Sequence, residues 1–130
     1  MQDKSTENEL QMDALMHVNF SFPLAVSDRL VRKKNDLSED AHWHKELQFI
    51  YVTAGEVLFT VEGTEYVLAR GQGLFINRCR THSVKLWHGN DAQYVGIYFD
   101  ERLLALYTGS DIEQKYVLPV TNSQELSCLM

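Results

Sequence analysis

The chain has 130 residues, 45% of them hydrophobic, and 18 acidic side chains against 12 basic ones give a formal charge of −6. That length supports one domain around one core and is short for two, while the negative balance repels a phosphate backbone and excludes broad contact of this chain alone with nucleic acid. Cys79 and Cys128 stand far apart in no metal-ligand spacing, so reduced thiols and a cytoplasmic location are expected, with no disulfide staple.

Residues 1 to 16 are expected to form a flexible tail, because Met1 to Met12 are polar and acidic and match neither a secretory signal nor a membrane anchor. A barrel-forming region is expected over 17 to 100. It opens with Asn19 to Ser27, whose apolar and small polar residues alternate around Pro23 in the manner of an edge strand or arm. The charged stretch from Arg29 to Asp40 reads as a loop. Gly55, Gly63, Gly71 and Gly73 then punctuate short segments rich in Val, Ile, Phe and Tyr, the spacing of an antiparallel barrel or sandwich. Between Glu56 and Glu62 the period is two: Val57, Phe59 and Val61 share one face, Leu58 and Thr60 the other. Glu62-Gly63-Thr64-Glu65 forms a hairpin into Tyr66 to Ala69. His82, Val84 and Leu86 continue the alternation, His88 to Asp91 supply a turn, and Gln93 to Phe99 is a strand apolar on both faces apart from Gln93.

After Asp100 the pattern changes. Glu101 to Tyr107 reads as a short helix with Asp100 as N-cap, ended by Gly109. Thr121 to Met130 carries a capping-box option, Asn122 with Glu125, and apolar Leu126, Leu129 and Met130 at helical spacing. A helix of two turns is marginal in water, so the expectation is a longer parent chain cut within that helix.

The chemistry concentrates between His42 and His82. His42 and His44 project to one side of an extended segment, and a later antiparallel strand can bring His82 opposite them. The string HWHKELQFIYVTAGEVLFTVEGTEYVLARGQGLFINRCRTHSV resembles the small barrels of the cupin superfamily. Within that superfamily it is similar to the N-terminal ligand-sensing domain of AraC-family transcription regulators. The likeness rests on the order of a His-x-His segment, a Tyr-Val-x-x-Gly turn, a Gly-x-Gly turn and an Ile-Asn-x-x-x-x-His segment, over residues 40 to 100. The turn at Arg70-Gly71-Gln72-Gly73 departs from the usual Pro-Gly-Asp, and Arg78 stands where a Pro often follows Asn77.

The resemblance implies a mainly β, cupin-like antiparallel barrel (double-stranded β-helix or jelly roll) with short C-terminal helices. It further implies that the segment 101 to 130 is a helical dimerisation or linker segment. The parent would be a homodimer through those helices, with DNA contacted only through a following region and no membrane contact. The small-molecule effector, a sugar or other metabolite, would occupy the barrel, with His42, His44, Gln48, Ile50, His82 and Tyr94 as candidate walls; for Ile50 and Tyr94 ordinary core packing is the alternative. In cupins the metal pattern is His-x-His, a Glu four residues on and a later His, which here becomes His42, His44, Gln48 and His82. No cofactor is expected, and the metal alternative is a divalent Zn, Ni, Fe or Mn ion. Gln48 withdraws a carboxylate from that set, and Glu46 is the substitute if the strand is regular there. The competing reading is that the histidines satisfy one another as polar cavity walls.

Arg70, Arg78 and Arg80 could fork onto an anionic ligand or be a solvated loop; Trp43 and Trp87 could cover the sheet's exterior or meet a partner. His17 and His88 have no assigned role. Three functions follow: a non-enzymatic effector-binding module, a stand-alone metal-dependent cupin such as a dioxygenase or isomerase, and a ligand-free dimeric scaffold with a filled interior. Phosphate-cradling, hydrolase-elbow and zinc-ribbon motifs are absent from the sequence.

Overall fold

A computed structural model of the chain describes residues 23–32, 39–89 and 91–130. The expected tail, the start of the arm and His17 lie outside the described residues. Two antiparallel sheets face each other. One has the order β1 (Leu24–Val31), β8 (Ala92–Phe99), β3 (Leu47–Ala54), β6 (Gly73–Ile76) and β9 (Cys128–Leu129). The other runs β2 (Glu39–His42), β7 (His82–Leu86), β4 (Glu56–Val61) and β5 (Thr64–Ala69).

Alternation decides which residues enter the space between the sheets. On β3, Ile50 and Val52 are buried while Phe49 and Tyr51 are about half exposed; on β4, Val57, Phe59 and Val61 join Ile50 and Val52 in one apolar cluster with Leu68, Leu74, Ile76, Val84 and Tyr94. Phe59 meets Tyr94 edge to face across the sandwich, centroids 5.4 Å apart, a geometry favoured by the ring quadrupoles. At the hairpin between β4 and β5, Val61 pairs with Thr64, and Glu62 and Gly63 have φ of 48° and 82°. Two left-handed residues match the turn to the twist of the strands. The turn that departs from Pro-Gly-Asp closes by another route: Gln72 Oε1 accepts the Ala69 N–H at 2.9 Å. Gly73 is required by close approach, since a Cβ there would sit 2.9 Å from the Ile50 carbonyl oxygen.

Two expectations need correction. The charged stretch from Arg29 to Asp40 is not all loop, for it holds the end of β1 and the start of β2. Arg29 pairs in register with Tyr94, so its side chain shares the inner face. The helix expected from Asn122 onward does not form. Asn122 Oδ1, the acceptor an N-cap needs, is taken by Arg78 Nη2 at 2.6 Å, and the chain turns back as β9, pairing Cys128 with Ile76 and Leu129 with Phe75.

The C-terminal part is otherwise helical. Asp100 Oδ1 accepts the Arg102 N–H at 2.9 Å at the start of α1 (Arg102–Ala105). This helix ends at Leu106, in a positive φ of 67°, before Gly109. Burial opposes an ionised Asp100, but bonds from the Arg102 guanidinium and N–H and the field of Arg78 outweigh it and hold the carboxyl below the usual range. A second helical stretch passes through π-helical turns at Glu113–Val117 into α2 (Leu118–Thr121). Its first turn is held by the Ser110 hydroxyl, which accepts the Glu113 N–H at 3.0 Å.

Candidate functional site

His42 ends β2 and His82 begins β7, and the two are paired in register. His44 follows just beyond β2, its carbonyl accepting the Cys79 N–H at 2.7 Å. The three rings meet at centroid distances of 4.4 to 5.8 Å, and one ring nitrogen from each lies within 4.8 Å of the others. Gln48, on the inner face of β3, reaches the same place, with Oε1 3.2 Å from His44 Nε2. His44, Gln48 and His82 are buried and His42 is half-buried.

Donor and acceptor counting defines what this group can do. His82 Nδ1–H donates to the Arg80 carbonyl at 2.8 Å, which leaves Nε2 as a lone pair, buried and without a hydrogen-bond partner. His44 Nδ1–H donates to the Glu46 carbonyl at 3.0 Å, so the Nε2 of a neutral ring offers a lone pair to Gln48 Oε1. Two acceptors then face each other. A Gln48 amide turned to present its NH2, a second proton on His44, or a cation between them resolves the conflict. Backbone carbonyls holding Nδ1 are the usual way a metal-binding imidazole is oriented, so the residues fit a metal; His42, His44 and His82 could hold one. Glu46 does not replace the missing carboxylate, because its Oε2 lies 3.7 Å from Nδ1 of His44, the nitrogen on the far side of the ring from Gln48. Burial pushes the His82 imidazole down to about 3, with His42 and His44 adding repulsion and the bond to Arg80 opposing.

Two further proposed walls are part of the core. Ile50 and Tyr94 belong to the apolar core cluster. Tyr98, which was not among the candidates, reaches the site, its ring centroid 5.7 Å from that of His44; the signal was its shared parity with Tyr94 on β8. Gly96 makes room for it, as a Cβ there would meet the Tyr98 hydroxyl at 2.9 Å.

Two of the three arginines bond to the C-terminal segment. Arg70 is exposed, while Arg78 donates to the Thr121 carbonyl at 3.1 Å and to Glu101 at 2.9 Å, and Arg80 donates to the Ser123 carbonyl. Trp43 is exposed, and Trp87 is half-buried against exposed His88. Both cysteines are free thiols, and no helix among the described residues is long and apolar enough to cross a membrane.

Two facing antiparallel sheets with inward imidazoles at one end define a cupin-fold protein. One solved structure of this kind is an RmlC-like cupin from Shewanella frigidimarina, 21% identical with a TM-score of 0.54 over 59% of this chain and 66% of that one. Another is the DMSP lyase DddQ of Ruegeria pomeroyi, 19% identical with a TM-score of 0.51 over 59% of this chain and 38% of that one; at these identities the likeness is one of fold. Residues 27–129 match the AraC-like ligand binding domain, and the chain belongs to that family. An uncharacterized HTH-type transcriptional regulator, YdeC of Bacillus subtilis, is 25% identical over 113 residues, 87% of this chain. The chain spans 38% of the length of that relative.

Proposed function

We propose that this chain is the effector-binding and dimerising domain of an AraC-type DNA-binding transcription regulator, acting in the cytoplasm without catalysing a reaction. The effector, a sugar or other metabolite, enters the barrel at the end where His42, His44, Gln48 and His82 gather, with Tyr98 beside them. The observation that carries this is the convergence of four polar side chains beside an apolar core cluster, the arrangement by which pockets orient small ligands. Contact with DNA belongs to a region outside these residues. A thermal-shift screen of metabolites tests the site: a ligand at a hundred times its Kd adds about 2.7 kcal/mol of stability, and His82→Asn should remove that gain. A ligand whose stabilisation survives His82→Asn places the effector elsewhere.

Dimerisation draws support from the outer face of the five-stranded sheet. Phe49, Tyr51, Phe75 and Ile97 line a groove of about 890 Å³ with Leu104, Ile112, Tyr116 and Met130 of the C-terminal segment, and Leu106, Tyr107 and Tyr116 are largely exposed. Exposed apolar surface of this kind is suited to burial against a second subunit. Sedimentation should show a dimer that Leu106→Glu with Tyr116→Glu turns into a folded monomer; an unchanged dimer moves the interface off these residues.

A second reading, a metal-dependent cupin enzyme such as a dioxygenase or isomerase, is favoured by the three convergent imidazoles. A divalent ion held by His42, His44 and His82 would supply Lewis-acid polarisation. Metal analysis of protein purified without chelator separates the two: stoichiometric tightly held metal favours the enzyme, and sub-stoichiometric metal with stability unchanged by added divalent ions counts against it.

A further inference from the structure

The loop from Asn77 to Thr81 joins β6 to β7 and is committed on two sides at once. Toward the imidazoles, Cys79 donates its N–H to the His44 carbonyl and Arg80 offers its carbonyl to His82 Nδ1. Toward the C-terminal segment, Asn77 donates its amide to the Val120 and Leu126 carbonyls, both at 2.8 Å, and its N–H to the Ser127 carbonyl at 2.9 Å. Arg78 grips Thr121 and Asn122, and Arg80 grips the Ser123 carbonyl. Arg80 therefore orients a site imidazole with its main chain and clamps the C-terminal segment with its side chain.

We infer that this loop is a coupling element, in which occupation of the histidine cluster and docking of residues 120 to 127 on the barrel favour each other, with Arg80 as the positioning residue. The inference rests on the reading of the cluster as the effector-binding end. A bound group that draws on the Nε2 lone pair of His82 fixes the ring, and the ring fixes the Arg80 carbonyl through Nδ1–H. Since the Arg80 guanidinium is anchored on Ser123, a carbonyl held in one place favours one position of the clamp. Binding free energy shared in this way is reciprocal: whatever factor the ligand gains from the docked segment, the segment gains from the ligand.

Cobalt(II) alone serves as the probe, read by its visible absorption on histidine nitrogens, while amide exchange over residues 118 to 127 reads docking. The expected result is slower exchange there on adding cobalt. Arg80→Ala should speed that exchange in the free protein and also weaken cobalt binding, each about fivefold or more, with Arg80→Lys restoring part of both. Arg70→Ala, on an exposed turn, should change neither. Faster exchange in Arg80→Ala with cobalt affinity untouched makes Arg80 a plain staple and overturns the coupling. If cobalt does not bind, the cluster is not a metal site, and the coupling is judged without ligand by His82→Phe, or His82→Leu if the first does not fold. Either removes the donor to Arg80, and exchange over 118 to 127 about fivefold faster supports the coupling, whereas unchanged exchange ends it.

Discussion

The outward faces of the two sheets are built from different residues. On the five-stranded sheet Val26, Leu30, Phe49 and Tyr51 are each about half exposed or more, beside Phe75 and Ile97. On the four-stranded sheet the outward positions include Thr60, Glu65, Ser83 and Lys85, with Leu58 buried between its register neighbours Val67 and Lys85. The second face is made for water. The first is made to be covered, and the C-terminal segment covers part of it. In the proposed function, effector binding inside and assembly outside would share one sheet, whose alternate residues face opposite sides.

The most forceful way to break that comparison is a pair of substitutions one residue apart on β3. Ile50→Ala empties a buried site and should cost roughly 2–5 kcal/mol, whereas Tyr51→Ser, on the outer face, should cost less than about 1 kcal/mol in the dissociated chain. Urea unfolding measures both. Equal losses would mean that the outer face is as closely packed as the inner one.

Next in size are two polar anchors. Asn77 is buried, and Asn77→Ala leaves the carbonyls of Val120 and Leu126 without their donor; a loss of about 1–3 kcal/mol is expected. Gln72→Ala removes a solvent-exposed turn bond and should lose less than about 1 kcal/mol by the same measurement. If the two lose alike, the C-terminal segment is not held by Asn77.

Acidification distinguishes the polar end of the barrel from its apolar remainder. His82 is held down to about 3 in the folded chain, against about 6.5 when unfolded. Between those values the unfolded chain binds the extra proton and the folded one does not, so stability falls as pH drops below 6.5 and the loss is complete near 3. At pH 5 the deficit relative to pH 7 is roughly 2 kcal/mol for metal-free protein. Denaturant titrations at the two pH values should show it, and His82→Phe should flatten the difference.

The sequence makes this architecture legible wherever one face of a strand meets the core, as in β3, β4 and β7. The histidine convergence is legible for the same reason, since parity and an antiparallel return fix it. Alternation misleads where polar residues point inward: Arg29 lies on an inner face, so a strand end reads as loop. At Asn122 the capping pattern is real, but a guanidinium from a loop 44 residues away claims its acceptor, and local pattern carries no information about such a competitor. A capping-box sequence at Ser110-Asp111-Ile112-Glu113 marks the helix that does form. Glu46 shows the limit at the site itself, because its parity with His44 and Gln48 holds only on a regular strand, and it precedes β3 in a bend.

The smallest expected effect bears on what the polar end is for. Gln48→Glu places a carboxylate where the amide oxygen now lies 3.2 Å from His44 Nε2. A divalent ion among three neutral imidazoles keeps its full charge in a buried site, and one negative charge in reach of it should tighten zinc binding by at least about tenfold, or about 1.4 kcal/mol. Without metal the same carboxylate is buried and offset only by imidazoles, so the variant should lose stability in chelator. Calorimetric titration with zinc at pH 7, paired with melting in chelator, reads the two effects separately. Tighter zinc together with a less stable metal-free chain would mean that Gln48 holds the native site neutral, leaving the anionic partner of any bound ion to come from a ligand. Unchanged zinc affinity would mean that the amide does not face the ion, and that the imidazoles serve the effector by hydrogen bonds alone.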